Sequence, residues 1–121
     1  MKKKFMPMIL LVAVLTVTLS ATSIVWAQAA PRTIDITVKR FSYDPGEITL
    51  KKGEPVVLVL KSADVAHGLR IRELNVNIKV KAGGTAQVQF TPGKTGDFIG
   101  HCSVFCGSGH GRVILKVHVV D

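Results

Sequence analysis

Beyond residue 30 no window of this 121-residue chain carries an apolar period near 3.6; apolar side chains recur at every second position in short runs closed by Gly or Pro. That rhythm belongs to strands, and it restricts the chain to an all-β architecture. Thr33 to Phe41 alternates through Ile34, Ile36 and Val38, and Asp44-Pro45-Gly46 supplies a turn. Ile48 and Leu50 mark a short second strand closed by Lys52-Gly53. Pro55 to Lys61 contains the unbroken run Val56-Val57-Leu58-Val59-Leu60, which predicts a central strand covered on both faces. Val76, Ile78 and Val80, then Ala86, Val88 and Phe90, alternate on either side of Ala82-Gly83-Gly84, and read as a hairpin with one wet face. After the loop Thr91 to Gly96, strands are expected over Asp97 to Cys102 and Arg112 to Val120. Seven or eight short strands at this spacing indicate a β-sandwich, with no repeat or internal linker.

The first 29 residues follow a different logic. Lys2, Lys3 and Lys4 precede an uncharged run to Pro31, apolar at its centre from Ile9 to Leu19, and Ala27-Gln28-Ala29 offers an A-x-A cleavage pattern. Basic, apolar and small-residue regions in that order are a signal peptide over 1–29, leaving a domain over 30–121; the alternative is an uncleaved anchor spanning Phe5 to Ala27. Either assigns the domain to the periplasm or another extracytoplasmic space, with membrane contact only through the N-terminal segment. The whole chain carries a net charge of +8; without the leader, thirteen Lys and Arg face eight Asp and Glu, a net +5. The basic residues are scattered singly along strands and form no nucleic-acid-binding motif, so nucleic acid is not the expected partner and a solvated basic face is. No nucleophile elbow, P-loop, dinucleotide fingerprint or paired carboxylate appears, which leaves hydrolytic and nucleotide chemistry without residues. On these grounds the chain is not read as an enzyme.

Chemistry concentrates in Cys102-Ser-Val-Phe-Cys106-Gly-Ser-Gly-His110. C-x3-C-x3-H brings two thiols and an imidazole into one loop, and Gly107 and Gly109 let the backbone fold back on itself. Sulfur with imidazole selects copper or zinc over hard cations. His67, in the loop expected after the central strand, is the fourth candidate and would complete a Cys2His2 set. Both cysteines of the chain lie here, so an oxidising compartment also allows a Cys102–Cys106 disulfide, which leaves the two histidines unexplained. His101, next to Cys102 in a strand, should face the other way. His118 reads as a surface residue, Phe90 and Phe98 as packing, and Phe105 as packing or as a shield for the metal.

The loop resembles the copper A motif of cytochrome c oxidase subunit II and nitrous-oxide reductase, C-S-E-x-C-G-x-x-H-x-x-M, and Asp64-Val65-Ala66-His67 resembles the segment of that family bearing its first histidine. Phe41-Ser42-Tyr43-Asp44-Pro45 and Gly53-Glu54-Pro55-Val56 extend the likeness over the whole domain. The resemblance implies a cupredoxin-like Greek-key sandwich. His67, Cys102, Cys106 and His110 would be copper ligands, the sulfurs bridging two ions, and the backbone carbonyl of Val104 would take a weak position. Val113 departs from the motif where the family has its axial methionine. Met1, Met6 and Met8 are the only methionines, so residues 30–121 hold no thioether to replace it. A modified site with one copper is the alternative to two. The implied function is one-electron transfer; the alternatives are a periplasmic copper shuttle or buffer, and a structural zinc or disulfide domain. The expected partner is a redox protein or a copper-receiving oxidase or reductase. A net basic domain suits an acidic partner better than a basic cytochrome, unless Asp64 or Asp97 marks a local acidic patch.

Overall fold

The computed structural model describes residues 30–121, with residues 20, 22 and 23. The expected leader, 1–29, lies almost wholly outside the described residues, and among those described no helix is long and apolar enough to cross a membrane. Nine strands form two sheets: β1 Arg32–Lys39, β2 Ser42–Asp44, β3 Glu47–Lys51, β4 Val56–Ser62, β5 His67–Ile71, β6 Val76–Val80, β7 Thr85–Phe90, β8 Gly96–His101 and β9 Ile114–Val120. The four-stranded sheet runs β2-β1-β4-β7 and the five-stranded sheet β3-β9-β8-β5-β6. Parallel pairs β1–β4 and β3–β9 tie the first third of the chain into both layers, and the remaining pairs are antiparallel.

The count exceeds the expected seven or eight because β2 and β5 are strands that the sequence rhythm did not announce. β2 has three residues, of which only Tyr43 is buried. β5 reads His67-Gly-Leu-Arg-Ile, four of five positions buried, so it has no alternation to detect. His67 therefore opens a strand instead of sitting in a loop, and its backbone register partner is Val80.

Two other expectations are corrected. β6 and β7 are not a hairpin: β6 pairs with β5 (Leu69 opposite Ile78) and β7 with β4 (Leu58 opposite Val88). Alternation fixes which side chains face the core but not which strand lies alongside. The turn after Val80, with the Gly84 N–H bonded to the Lys81 carbonyl, hands the chain from one layer to the other. β4 is central in its sheet, between β1 and β7, but is not covered on both faces; Val56, Leu58 and Leu60 are buried while Val57 and Val59 are half-buried on the outer side. Between the layers lies a core in which Ile36, Val38, Leu58 and Leu60 meet Leu50, Leu69, Ile71, Leu115 and Val117, all at or below 1 % exposure. Interdigitated aliphatic side chains of this kind make a rigid platform. The loop after β8 and the start of β5 emerge from it at one end.

Candidate metal centre

Cys102 follows β8 directly, and its N–H is held by the Val113 carbonyl at the foot of β9 (3.3 Å). Its thiol donates to the Val104 carbonyl at 3.1 Å, which turns the loop inward. Hydrogen bonds from His110 to Gly107 and from Arg112 to Gly109 then wind residues His110–Arg112 into a 3-10 turn. Gly107 has φ +136°, a conformation that side-chain-bearing residues rarely adopt. Gly109 has an ordinary φ of −91°, and its lack of a side chain serves contact instead: a Cβ there would stand 2.6 Å from the Phe41 ring. Only the first of these two glycines thus meets the expected need for backbone freedom.

Three of the four expected side-chain ligands converge here, and the fourth, His110, meets only Cys106 among them. One donor atom each from His67, Cys102 and Cys106 lies within 4.8 Å of the others, and all three residues are buried. His67 Nδ1 is 3.9 Å from Cys102 Sγ. His110 approaches from the other side of the loop, with Nδ1 3.6 Å from Cys106 Sγ. Both thiols are free. Val113 is 1 % exposed, so an aliphatic side chain fills the place of the motif's methionine.

Asp64 orients His67. Its Oδ1 lies 2.6 Å from His67 Nε2 and also accepts from the Val65 N–H at 2.6 Å, while Oδ2 accepts from the Arg40 N–H at 2.8 Å. With Nε2 donating to the carboxylate, Nδ1 keeps its lone pair and faces the thiols. This is the carboxylate–imidazole pairing that supports metal-binding histidines. Burial works to raise the Asp64 pKa, but the Arg40 and Val65 N–H groups and His67 outweigh it and hold the carboxyl at about 2. Burial, the Cys102 charge and the Cys102 side-chain hydrogen bond push the Cys106 thiol up, against the pull of Arg40. A metal arriving at Cys106 must therefore displace a proton. Burial first, then both cysteines, push the Tyr43 phenol above its ordinary range. Tyr43 thus stays a neutral donor, to the Gly68 carbonyl at 2.5 Å.

The chain reading missed Asp64 as a partner of His67, although its place three residues before the histidine was a usable signal. It also missed Arg40, whose Nε donates to the Cys106 carbonyl at 3.0 Å; no local pattern marks that contact across 66 residues. Phe105 neither packs nor shields: it is 79 % exposed, with its ring centroid 5.7 Å from that of His110. Phe41 takes the packing role, against Gly107 and Gly109 and under the Arg112 guanidinium. His101 is exposed, as its strand position required. His118 is half-buried between two carboxylates, Asp97 Oδ1 at 2.5 Å from Nδ1 and Glu47 Oε1 on Nε2. Asp64 is engaged by His67 and two backbone N–H groups, while Asp97 shares His118 with Glu47 and stays 83 % exposed.

A family model described as a cupredoxin-like domain matches residues 7–115. The chain belongs to this cupredoxin-like family. Among curated proteins this cupredoxin-like chain is 30 % identical over 88 residues to cytochrome c oxidase subunit 2 of Thermus thermophilus, covering 69 % of this chain and 65 % of that protein. It is 38 % identical over 82 residues to nitrous-oxide reductase of Cupriavidus necator, covering 64 % of this chain but 13 % of the reductase. The chain thus spans under two thirds of the length of these relatives. Among solved structures, the periplasmic domain of subunit II of cytochrome oxidase of Bradyrhizobium japonicum superposes with a TM-score of 0.68 at 24 % identity, over 76 % of this chain and 86 % of that one. That likeness establishes the shared fold.

Proposed function

We propose that this cupredoxin-like domain is an exported copper protein, with Cys102, Cys106, His67, His110 and the Val104 carbonyl as ligands, and that it transfers single electrons. One observation carries the reading: two free thiols and an imidazole converge within 4.8 Å in a buried pocket, with the imidazole's far nitrogen engaged by Asp64. Two thiols and two imidazoles are the donor types that retain copper in both common oxidation states. Copper bound there would supply a one-electron couple. The chain's own contribution is to hold the donors still. Asp64 fixes the His67 ring, Arg40 fixes the Cys106 carbonyl, and the sheets anchor both loop ends, so little rearranges as charge changes. Val113 offers no thioether, which leaves copper in either stoichiometry dependent on the two sulfurs, the two imidazoles and the weak Val104 carbonyl.

The kinship with oxidase subunit II and nitrous-oxide reductase supports this reading. The test is to load the chain with copper, count metal per chain, and record optical and paramagnetic resonance spectra and a voltammogram. Two coppers per chain, with the unpaired electron coupled equally to both nuclei, is the outcome expected of a copper A type site. One copper with coupling to one nucleus assigns the modified site. Binding of Cu(I) without a reversible couple refutes electron transfer and leaves copper delivery as the function.

A further inference from the structure

The outer face of the five-stranded sheet combines an excess of basic side chains with exposed aliphatic ones. Strand alternation turns Lys51 of β3, Lys116 of β9, Arg70 of β5 and Lys79 of β6 outward, all exposed. The only acidic residues on those five strands are Glu47 and Asp97, and both are drawn onto His118. Among the described residues, three of the four exposed large apolar side chains, Ile99, Ile114 and Val120, lie on the same face, the fourth being Phe105 of the metal loop. The outer face of the four-stranded sheet, by contrast, balances Lys39 and Lys61 with Asp35 and Asp44 among Thr33, Thr37, Thr85, Gln87 and Gln89. A positive surface with exposed aliphatic residues is the composition of a docking face, and more than solubility requires.

The face also has a shape. β5 and β8 share a single register pair, Arg70 opposite His101. There a cleft of about 560 Å³ opens, walled by Arg70, Arg72, Phe98, Ile99 and His101, with Glu73 and Asp97 also on its rim, and reaching Cys102. Neither arginine has a hydrogen-bonded or ion-paired side-chain partner among the described residues. Glu73 is the one rim carboxylate outside an ion pair. Two exposed guanidiniums without protein partners and an imidazole, around a partly apolar hollow with one unpaired carboxylate, fit a protruding carboxylate cluster. A flat bilayer surface could meet the lysines but could not enter the cleft.

We infer that this face, centred on the Arg70–Arg72–His101 cleft, is the docking surface for an acidic partner protein, and that it seats the partner's carboxylates beside Cys102. Docking there puts the partner one peptide bond from a proposed ligand, since exposed His101 adjoins buried Cys102. That the partner exchanges electrons rests on the proposed function; the docking face does not.

The experiment titrates the isotope-labelled full chain, metal-free and copper-loaded, with a plant-type ferredoxin as a small acidic redox protein, following amide shifts. Shifts should gather at Arg70, Ile99, His101 and Ile114. The Arg70→Glu/Arg72→Glu double variant should weaken binding about tenfold or more at low ionic strength, with the difference shrinking as salt is added. A Lys39→Glu/Lys61→Glu variant on the other sheet changes net charge equally and should bind within about twofold of the unaltered chain. Equal losses in both variants, or no shifts at the cleft, overturn the proposal. So does a response of the same residues to phosphatidylglycerol vesicles or inorganic phosphate in the absence of any to ferredoxin. Binding by a copper-loaded chain that lacks a reversible couple would sustain the docking face and refute electron transfer.

Discussion

Replacing Asp64 by Asn tests whether the carboxylate governs His67. Asp64 uses two oxygens for three contacts, with the N–H groups of Arg40 and Val65 and with His67 Nε2. Asn keeps the shape but has one oxygen and one NH2, so one side of that set loses its acceptor whichever way the amide turns. The Asp64 side chain is 32 % exposed, which limits the loss of fold stability to about 1 kcal/mol. The effect on metal should be larger. Loss of a carboxylate behind a metal-binding histidine costs about 10- to 100-fold in affinity, or roughly 1.4 to 2.7 kcal/mol. Competition against a Cu(I)-selective chelator gives the affinity, urea unfolding of the metal-free chain gives the stability, and nitrogen NMR of the imidazole reads the tautomer directly. Weakened copper binding, with proton occupancy redistributed between Nε2 and Nδ1, is the expected result. Copper affinity within about twofold of the unaltered chain would refute the reasoning, because the ring would then be oriented by packing alone.

Other perturbations separate the remaining contributions. Cys106→Ser should abolish binding of a second copper while the metal-free fold unfolds within about 1 kcal/mol of the parent, as a near-isosteric swap allows; metal analysis and urea titration report both. Val113→Met should move the reduction potential without changing copper per chain, at about 1 to 3 kcal/mol of overpacking in a buried position, which voltammetry and melting curves resolve. Gly109→Ala should drive a Cβ into the Phe41 ring, with a stability loss of about 1 to 3 kcal/mol that shrinks when Phe41→Ala is added. At His118, the Asp97 and Glu47 hydrogen bonds raise the pKa above 6.5. Its contribution is therefore complete below pH 6.5 and fades as pH climbs through the raised value. Melting temperature against pH should show that decline, and His118→Gln should remove it.

Strand rhythm made the architecture legible because the core side of each strand is written in its own residues. Val76, Ile78 and Val80 are all buried, as their alternation required. Pairing is not written there, since the register of one strand depends on another distant in sequence. Hence β6 was assigned the wrong neighbour, and β5, buried nearly throughout, passed unseen. The thiols and His110 could be found because one loop holds them. His67 stood out through its resemblance to a known segment, and Asp64 was overlooked beside it. Arg40 shows the limit: its contact with the Cys106 carbonyl exists only once β1 and the loop after β8 have met.

The lone rung between β5 and β8 has one more consequence. His67 opens β5 and Cys102 directly follows β8, so the proposed ligands straddle the weakest seam of the larger sheet. An ion held by both would act as a clasp on that seam, adding about 2.7 kcal/mol at free metal a hundredfold above Kd. Opening of the seam would separate His67 from the thiols and let the ion go. Retention of the metal and integrity of the sheet are then one equilibrium, and a chain that frays along this line surrenders its cargo before it unfolds.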